Sequence, residues 1–310
     1  INAAGITPIK AHLKAISKIK RSKDLMVAFA DLKHNAPFGI SIIPDPADTT
    51  RYALVMGQGG LGMPDRDYYL KKEDRFKQFR VAYLSYIKTL LTLADVKGAE
   101  KKAKAILKLE TQLAKVHWTK AESRDIKKIN NPMSIKALKK SAPQVDWALI
   151  LKTLKLGGID NIVVFQPSAI SASAKIIKKT SIKIWRDYLS FHLLSQHASY
   201  LSAPFDRASF EFFSKTLRGI ESQKERWKRG TELINRNLGE VVGKIYLKRH
   251  FPEESKTQMD QLVQNVKMAL EERLNKNDWM DEETRAQALK KLATFEPRIG
   301  YPSKWIDYST

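Results

Sequence analysis

The sequence predicts a mainly α protein, a large multi-helix lobe carrying one small β-hairpin near residues 38–57. Three observations predict it. Apolar residues recur at spacings of three and four over most of the 310 residues. The period shortens to two only around 38–57, and Pro and Gly punctuate the helical stretches without filling them. A hydrophobic content of 43% with 9% aromatics is that of a folded chain with a sizeable core.

Residues 7–33 form two helical pieces, the first with Ile9, Leu13 and Ile16 on one face, the second marked by Leu25, Phe29 and Leu32, with a break at Ser22-Lys23-Asp24. In the hairpin, Phe38, Ile40 and Ile42 alternate, Pro44, Asp45, Pro46 and Asp48 turn the chain, and Tyr52, Leu54 and Met56 alternate again. A glycine loop follows, Gly57 to Gly62 closed by Pro64. Phe76, Phe79, Tyr83, Ile87, Leu90 and Leu91 then make one helical stripe, and Ile106, Leu109, Leu113 and Val116 the next. Asn131-Pro132 interrupts, and Ser134 is placed to cap a short helix. One more short helix lies between Pro143 and Gly158, and Ile162 to Phe165 is of strand length. A long helix is expected from Ser171 past Trp185, Tyr188 and His192 towards Leu201, stopped by Pro204, and another from Phe205 through Trp227 to Leu233, with Tyr246 as its alternative end. Met259, Leu262, Val263, Val266, Leu270 and Leu274 mark an amphipathic helix, and Asp281 to Phe295 the last, with Leu289 and Leu292 inward. Length alone suggests about two domains of roughly 150 residues, but no low-complexity linker or repeat divides the chain, so one elongated helical unit is expected.

Charge and composition exclude several function classes. The chain has 55 Lys/Arg against 33 Asp/Glu, a net charge of +22. Residues 251–310 hold nine basic and eleven acidic residues, so a surplus of 24 lies in 1–250. There it falls mainly between apolar stripe positions, the pattern of solvated helix faces, and no RNA-binding aromatic box or base-reading helix accompanies it. With 0 Cys there is no disulfide framework, thiolate metal site or cysteine nucleophile. No run approaches the roughly 18 apolar residues of a membrane helix. The six histidines (His12, His34, His117, His192, His197 and His250) include no pair four apart that would place two imidazoles on one helix face for zinc. There is no Gly-x-Ser-x-Gly, and the glycine loop lacks the Gly-Lys-Ser/Thr of a phosphate cradle. Asp65-Arg66-Asp67 suggests an ion-pair knot holding a loop. Composition and spacing therefore yield no complete active site. The first residue is not Met, and both ends look cut from a longer chain.

Several of these residues recur together in one family. Gly60-Leu61-Gly62-Met63-Pro64-Asp65-Arg66-Asp67-Tyr68-Tyr69 resembles the GLGLPDRDYY stretch of the neprilysin-type zinc metallopeptidases (the neprilysin and endothelin-converting enzyme family). Glu122-Ser123-Arg124-Asp125 with Asn131-Pro132-Met133-Ser134 is similar to that family, as is Trp185-Arg186-Asp187-Tyr188-Leu189 followed by His192-Leu193-Leu194. The likeness continues through Leu238-Gly239-Glu240, Gly243, Tyr246, Phe251-Pro252 and Ser255-Lys256. It closes with Asp278-Trp279-Met280-Asp281, Thr284, Ala288 to Leu292, Ile299-Gly300-Tyr301-Pro302, Trp305 and Asp307-Tyr308. The order is kept over almost the whole chain, and the absence of Cys resembles bacterial members.

The resemblance implies a zinc endopeptidase of small peptides, built from two mainly helical lobes around an enclosed cavity. It identifies residues 1–310 with the non-catalytic cap lobe, incomplete at both ends, and 296–310 with the start of the connection to the zinc lobe. Catalytic and metal-binding residues are then expected in none of these positions: the HExxH and ExxxD motifs and the NAYY-type substrate segment are not found. The one catalytic zinc belongs to the whole enzyme, with none bound here, and this chain alone is expected to be inactive. Substrate-binding residues are not assigned. The family-motif residues expected to serve structure are Gln58, Gly60, Leu61, Pro64, Asp65, Arg66, Asp67, Tyr68, Tyr69, Arg124, Asp125, Asn131, Pro132, Trp279, Gly300, Tyr301, Pro302 and Trp305. The implied partners are the chain's own C-terminal catalytic lobe, as continuation or separate chain, and peptide substrates, with no specific nucleic acid. The habit of bacterial members places it in the periplasm or secreted, the cytoplasm being the alternative. The basic surplus suggests a cavity wall favouring acidic peptides. Two other readings stay open: a non-catalytic helical binding protein derived from the same lobe, and a basic nucleic-acid binder.

Overall fold

In the computed structural model, described over residues 2–31 and 34–309, the chain divides into two compact units, 1–223 and 224–310. The first opens with α1 (Lys10–Ser17) and α2 (Ser22–Ala30). The break between them falls at 18–21, just ahead of the expected Ser22-Lys23-Asp24. Asp24 instead caps the second helix by accepting the Arg21 N–H at 3.0 Å. Leu32 lies outside the described residues. The hairpin forms as expected from β1 (Phe38–Pro44) and β2 (Tyr52–Gln58), antiparallel in unbroken register from Phe38 opposite Gln58 to Pro44 opposite Tyr52.

After α3 (Asp67–Leu70) come the two long helices α4 (Asp74–Leu93) and α5 (Ala99–Val116). Tyr83, Ile87, Leu90 and Leu91 from the first, and Ile106 and Leu113 from the second, are fully buried. Each such apolar side chain removed from water contributes about 1.5–3 kcal/mol. Next are α6 (Ile126–Ile129), β3 (Pro132–Ser134), α7 (Ile135–Ser141) and α8 (Trp147–Thr153). Ser134 caps α7 as expected, its hydroxyl accepting the Ala137 N–H at 3.1 Å. β4 (Asn161–Val164) pairs parallel to β2 and antiparallel to β3, giving a four-stranded sheet in the order β1-β2-β4-β3. Asn131-Pro132, expected only to interrupt, leads into β3, and the Asn131 amide donates to the Val164 carbonyl at 3.1 Å.

The single long helix expected from Ser171 is two, α9 (Pro167–Lys179) and α10 (Ile182–His197), parted at Thr180-Ser181. The helix expected from Phe205 through Trp227 to Leu233 or on to Tyr246 is likewise broken. It comprises α11 (Ala203–Ser209), a π-helical stretch Phe210–Thr216 and, after a non-helical stretch around Ile220–Gln223, α12 (Arg226–His250), itself interrupted at Leu238. Trp147, Trp185, Tyr83, Tyr188 and Phe191 are the largest fully buried side chains of the first unit.

The second unit holds α12, α13 (Glu253–Lys276) and α14 (Glu282–Ala293). Leu289 and Leu292 are half-buried, whereas Met259, Leu262, Val266 and Leu270 of the expected α13 stripe are exposed. Among the described residues no helix is long and apolar enough to cross a membrane.

Candidate functional site

The glycine loop leaves the end of β2 and turns into α3, and its backbone is pinned from several sides. The Gln58 side chain bridges to Trp118, accepting its N–H at 2.7 Å and donating to its carbonyl at 3.1 Å. The Gln58 N–H donates to Gln166 Oε1 at 3.0 Å. Gly60 sits at φ +90°, and a Cβ there would lie 2.9 Å from Pro37 Cα, so both its conformation and its packing require glycine. Its carbonyl accepts the Tyr188 hydroxyl at 2.7 Å. Gly62 is tighter still, since an added Cβ would fall 1.8 Å from the Tyr83 hydroxyl.

Beneath this loop lies a buried carboxylate. Glu110 of α5 is 0% exposed. It accepts the Tyr69 hydroxyl at 2.5 Å, the Tyr83 hydroxyl at 2.9 Å and the Gly62 N–H at 3.2 Å, and pairs with His192 Nε2 at 2.8 Å. Four donors offset the several kcal/mol that desolvating a carboxylate costs. The Asn35 amide donates to His192 Nδ1 at 3.0 Å and to the Tyr188 hydroxyl at 3.1 Å. An acceptor role for Nδ1 places the imidazole proton on Nε2, donated to Glu110. The Tyr69 hydroxyl also accepts the Gly62 and Met63 N–H groups, at 3.1 and 2.9 Å. Burial first, and then the Glu110 charge, push the Tyr69, Tyr83 and Tyr188 phenols well above their usual range, so all three remain donors.

A Glu–His–Tyr cluster has the elements of acid–base chemistry, but this one is sealed: Tyr83 is 0% and His192 5% exposed. No substrate reaches the carboxylate, so its work is mechanical, holding β2, α3, α4, α5 and α10 around one loop. Sequence reading missed Glu110. The available signal was a carboxylate four residues after Ile106 and three before Leu113, inside an apolar stripe.

The expected Asp65-Arg66-Asp67 knot does not form as such. Asp65 pairs with Lys120 at 2.7 Å and caps the Asp67 N–H, while Asp67 pairs with Lys71 at 3.3 Å. The two carboxylates reach lysines on either side, so Arg66 pairs with neither, and its Nε is buried without a partner. His117 Nε2 is buried likewise, and desolvation, helped by the Arg66 charge, lowers this histidine from its ordinary 6.5 to about 4. Leu61 packs against the core, Pro64 is exposed, and Tyr68 stacks on Phe79 at 5.5 Å. Arg124 ends a 3-10 turn, and Asp125 caps α6 through the Lys127 and Lys128 N–H groups.

The remaining motif residues belong to the second unit. Tyr301 and Trp305 stack at 6.1 Å, Lys256 lies 4.1 Å from the Tyr301 ring centroid, and Gly300 faces the Phe251 ring. Pro302 is exposed, as is Trp279, beside the turn that Asn277 caps. The loop is thus part of the first unit and these aromatics part of the second. Among the described residues no three His, Asp or Glu side chains converge as metal ligands, so these residues do not fit a zinc ion.

Comparison with known proteins adds a family. The model of the N-terminal part of peptidase family M13 matches residues 1–302. Endothelin-converting enzyme-like 1 of Rattus norvegicus is 28% identical over 272 residues, 86% of this chain and 35% of that protein. Endothelin-converting enzyme 1 of Homo sapiens is 28% identical over 290 residues, 91% of this chain and 38% of that protein. Among solved structures, the zinc metalloprotease Zmp1 of Mycobacterium tuberculosis in complex with inhibitor superposes with a TM-score of 0.87 at 30% identity, over 99% of this chain and 47% of that one. PepO of Lactobacillus rhamnosis shares the fold, with a TM-score of 0.82 at 17% identity. The chain spans less than half the length of each of these relatives.

Proposed function

Because the chain belongs to peptidase family M13, being its N-terminal part, we propose that it is the cap lobe of a zinc-dependent endopeptidase of small peptides. The observation that carries this reading is the family match over 302 residues, combined with a fold shared with a zinc metalloprotease about twice as long. In this reading the zinc, its ligands and the general base reside in sequence outside these 310 residues. An ion held there would supply the Lewis acid that peptide hydrolysis of this class uses.

The residues of this chain wall the cavity and limit substrate size. The Glu110 cluster keeps the Gly57–Tyr69 loop rigid, so that the wall keeps its shape. The exposed apolar side chains of the second unit, Trp227, Ile245, Leu262 and Val266 among them, are a face for the catalytic lobe. The basic surplus in residues 1–250 favours acidic peptides. As a bacterial-type member, the protein acts in the periplasm or after secretion.

The test uses the full-length gene product against a series of peptides of increasing length and a folded protein. Chelator-sensitive cleavage that falls off with substrate size supports a capped cavity. Equal cleavage of folded protein, or activity indifferent to chelator, refutes it. Rates indifferent to peptide charge and to salt would remove the electrostatic part alone.

A further inference from the structure

Three helices of the first unit enclose a groove of about 700 Å³, with α5 as one wall and the end of α9 and start of α10 as the other. Its floor is apolar: Leu109 is buried, and Ala105, Val116, Ile176 and Ile184 are half-buried. Its rim is basic. Lys108 and Lys115 stand on the α5 side and Lys179 on the α9 side, all three exposed. None of them takes part in an ion pair or a hydrogen bond among the described residues.

No carboxylate lines the groove, and none on its helices is free to neutralise it. α9 has no acidic residue. α10 has only Asp187, which Lys102 holds at 2.8 Å. α5 has Glu100, paired with Lys104 at 2.9 Å, and Glu110, sealed in the core. Lys101, Lys175 and Lys178, exposed on the same helices, add to the positive field. An apolar floor thus lies under positive charge that the chain itself does not compensate.

We infer that this groove docks an acidic amphipathic helix of another protein. The placement of the charges selects that occupant. Lys108 and Lys115 are two turns apart, about 10 Å along α5, and Lys179 belongs to the opposite rim. A fatty acid carries one charge at one end and cannot meet all three. A nucleic acid offers phosphates and leaves an apolar floor unused. An amphipathic helix lays an apolar stripe at i, i+4 and i+7 on the floor and carries Glu on both flanks, towards both rims. From Ala105 to Val116 the groove follows α5 for about 16 Å, three turns of such a helix. This docking site is independent of the peptidase activity proposed above.

The test titrates a labelled, blocked peptide with the 310-residue chain and follows fluorescence anisotropy. The peptide has about 15 residues of Leu, Ala and Glu, with Leu at i, i+4 and i+7 and Glu on both flanks. Saturable binding is expected, severalfold weaker at about 300 mM than at about 50 mM salt. A scrambled peptide of the same composition should bind at least about tenfold more weakly, because its apolar stripe is lost. Lys108→Ala, Lys115→Ala and Lys179→Ala combined should weaken binding about thirtyfold, roughly threefold for each lysine. Lys136→Ala, Lys139→Ala and Lys140→Ala on α7 remove the same charge outside the groove and should change it less than about twofold. Ile176→Glu, which puts a like charge for the peptide in the floor, should abolish binding. Should that variant misfold, the lysine variants still decide. Absent or salt-indifferent binding overturns the inference, as does equal binding of the scrambled peptide. An equal loss in the α7 variant also overturns it, since net charge alone is then responsible. So does tighter binding of a DNA duplex or of phosphatidylglycerol vesicles through the same three lysines, because the groove then reads phosphate. A full-length protein that does not bind the peptide overturns it as well, the groove being covered from within.

Discussion

Replacing Glu110 with Ala removes the acceptor on which the motif loop converges. Three donors lose their partner, the Tyr69 and Tyr83 hydroxyls and His192 Nε2, while the Gly62 N–H keeps the Tyr69 hydroxyl as acceptor. A buried donor left unsatisfied costs about 1–3 kcal/mol. Relief from burying a carboxylate and entry of water into the vacated space both reduce the sum. Taking the low end for each of the three donors gives a net loss of about 3 kcal/mol. Urea unfolding at pH 7.5, followed through the near-ultraviolet signal of the buried Trp147 and Trp185, measures it. Glu110→Gln, which keeps one acceptor oxygen, should lose about half as much. Amide exchange at Gly62 and Met63 should quicken in both variants, because the loop loses its anchor. A Glu110→Ala protein within about 0.5 kcal/mol of the parent, with unchanged exchange at Gly62, would refute the assignment of the loop's rigidity to this carboxylate.

Gly62→Ala should be disruptive despite its single added methyl, because the new Cβ would sit 1.8 Å from the Tyr83 hydroxyl. A loss of about 3 kcal/mol is expected in the same unfolding assay, and a neutral outcome would contradict the packing described. His117 gives a pH dependence. Its folded value near 4 lies below the ordinary 6.5, so it stays neutral when folded and protonates on unfolding. The stability it contributes is fully present above pH 6.5 and is lost as the pH falls towards 4, about 3 kcal/mol in all. His117→Gln should therefore flatten the acid limb of stability against pH relative to the parent. An identical slope in the two proteins would show that His117 is not the group responsible.

The hairpin was legible because two period-2 runs flank a Pro/Asp turn, and the helical stripes of α4 and α5 because burial imposes their spacing. The rest of the sheet was obscured. β3 has three residues and β4 four, too short for a period, and their pairing with each other and with β2 joins residues far apart in sequence. The break at Thr180-Ser181 hid because Ile177 and Ile184, seven apart, keep the helical phase across it. The α13 stripe was correct as a pattern, yet most of it is exposed in this chain, since periodicity reports an apolar face and not what covers it. Of the site, the motif loop was visible through its resemblance to the family. Glu110, Asn35 and the role of His192 were not, because three distant segments must fold before their side chains meet. Asp65 and Asp67 were expected to hold Arg66, but Lys120 and Lys71 reach them instead, which adjacent positions in the chain do not foretell.

The central claim is that this chain shapes a peptidase cavity without holding its chemistry. The direct measurement incubates the purified 310-residue chain with zinc and a fluorogenic peptide, and determines bound metal and cleavage together. No stoichiometric zinc and no hydrolysis above background are expected, with or without chelator. Chelator-sensitive cleavage by the chain alone would contradict it.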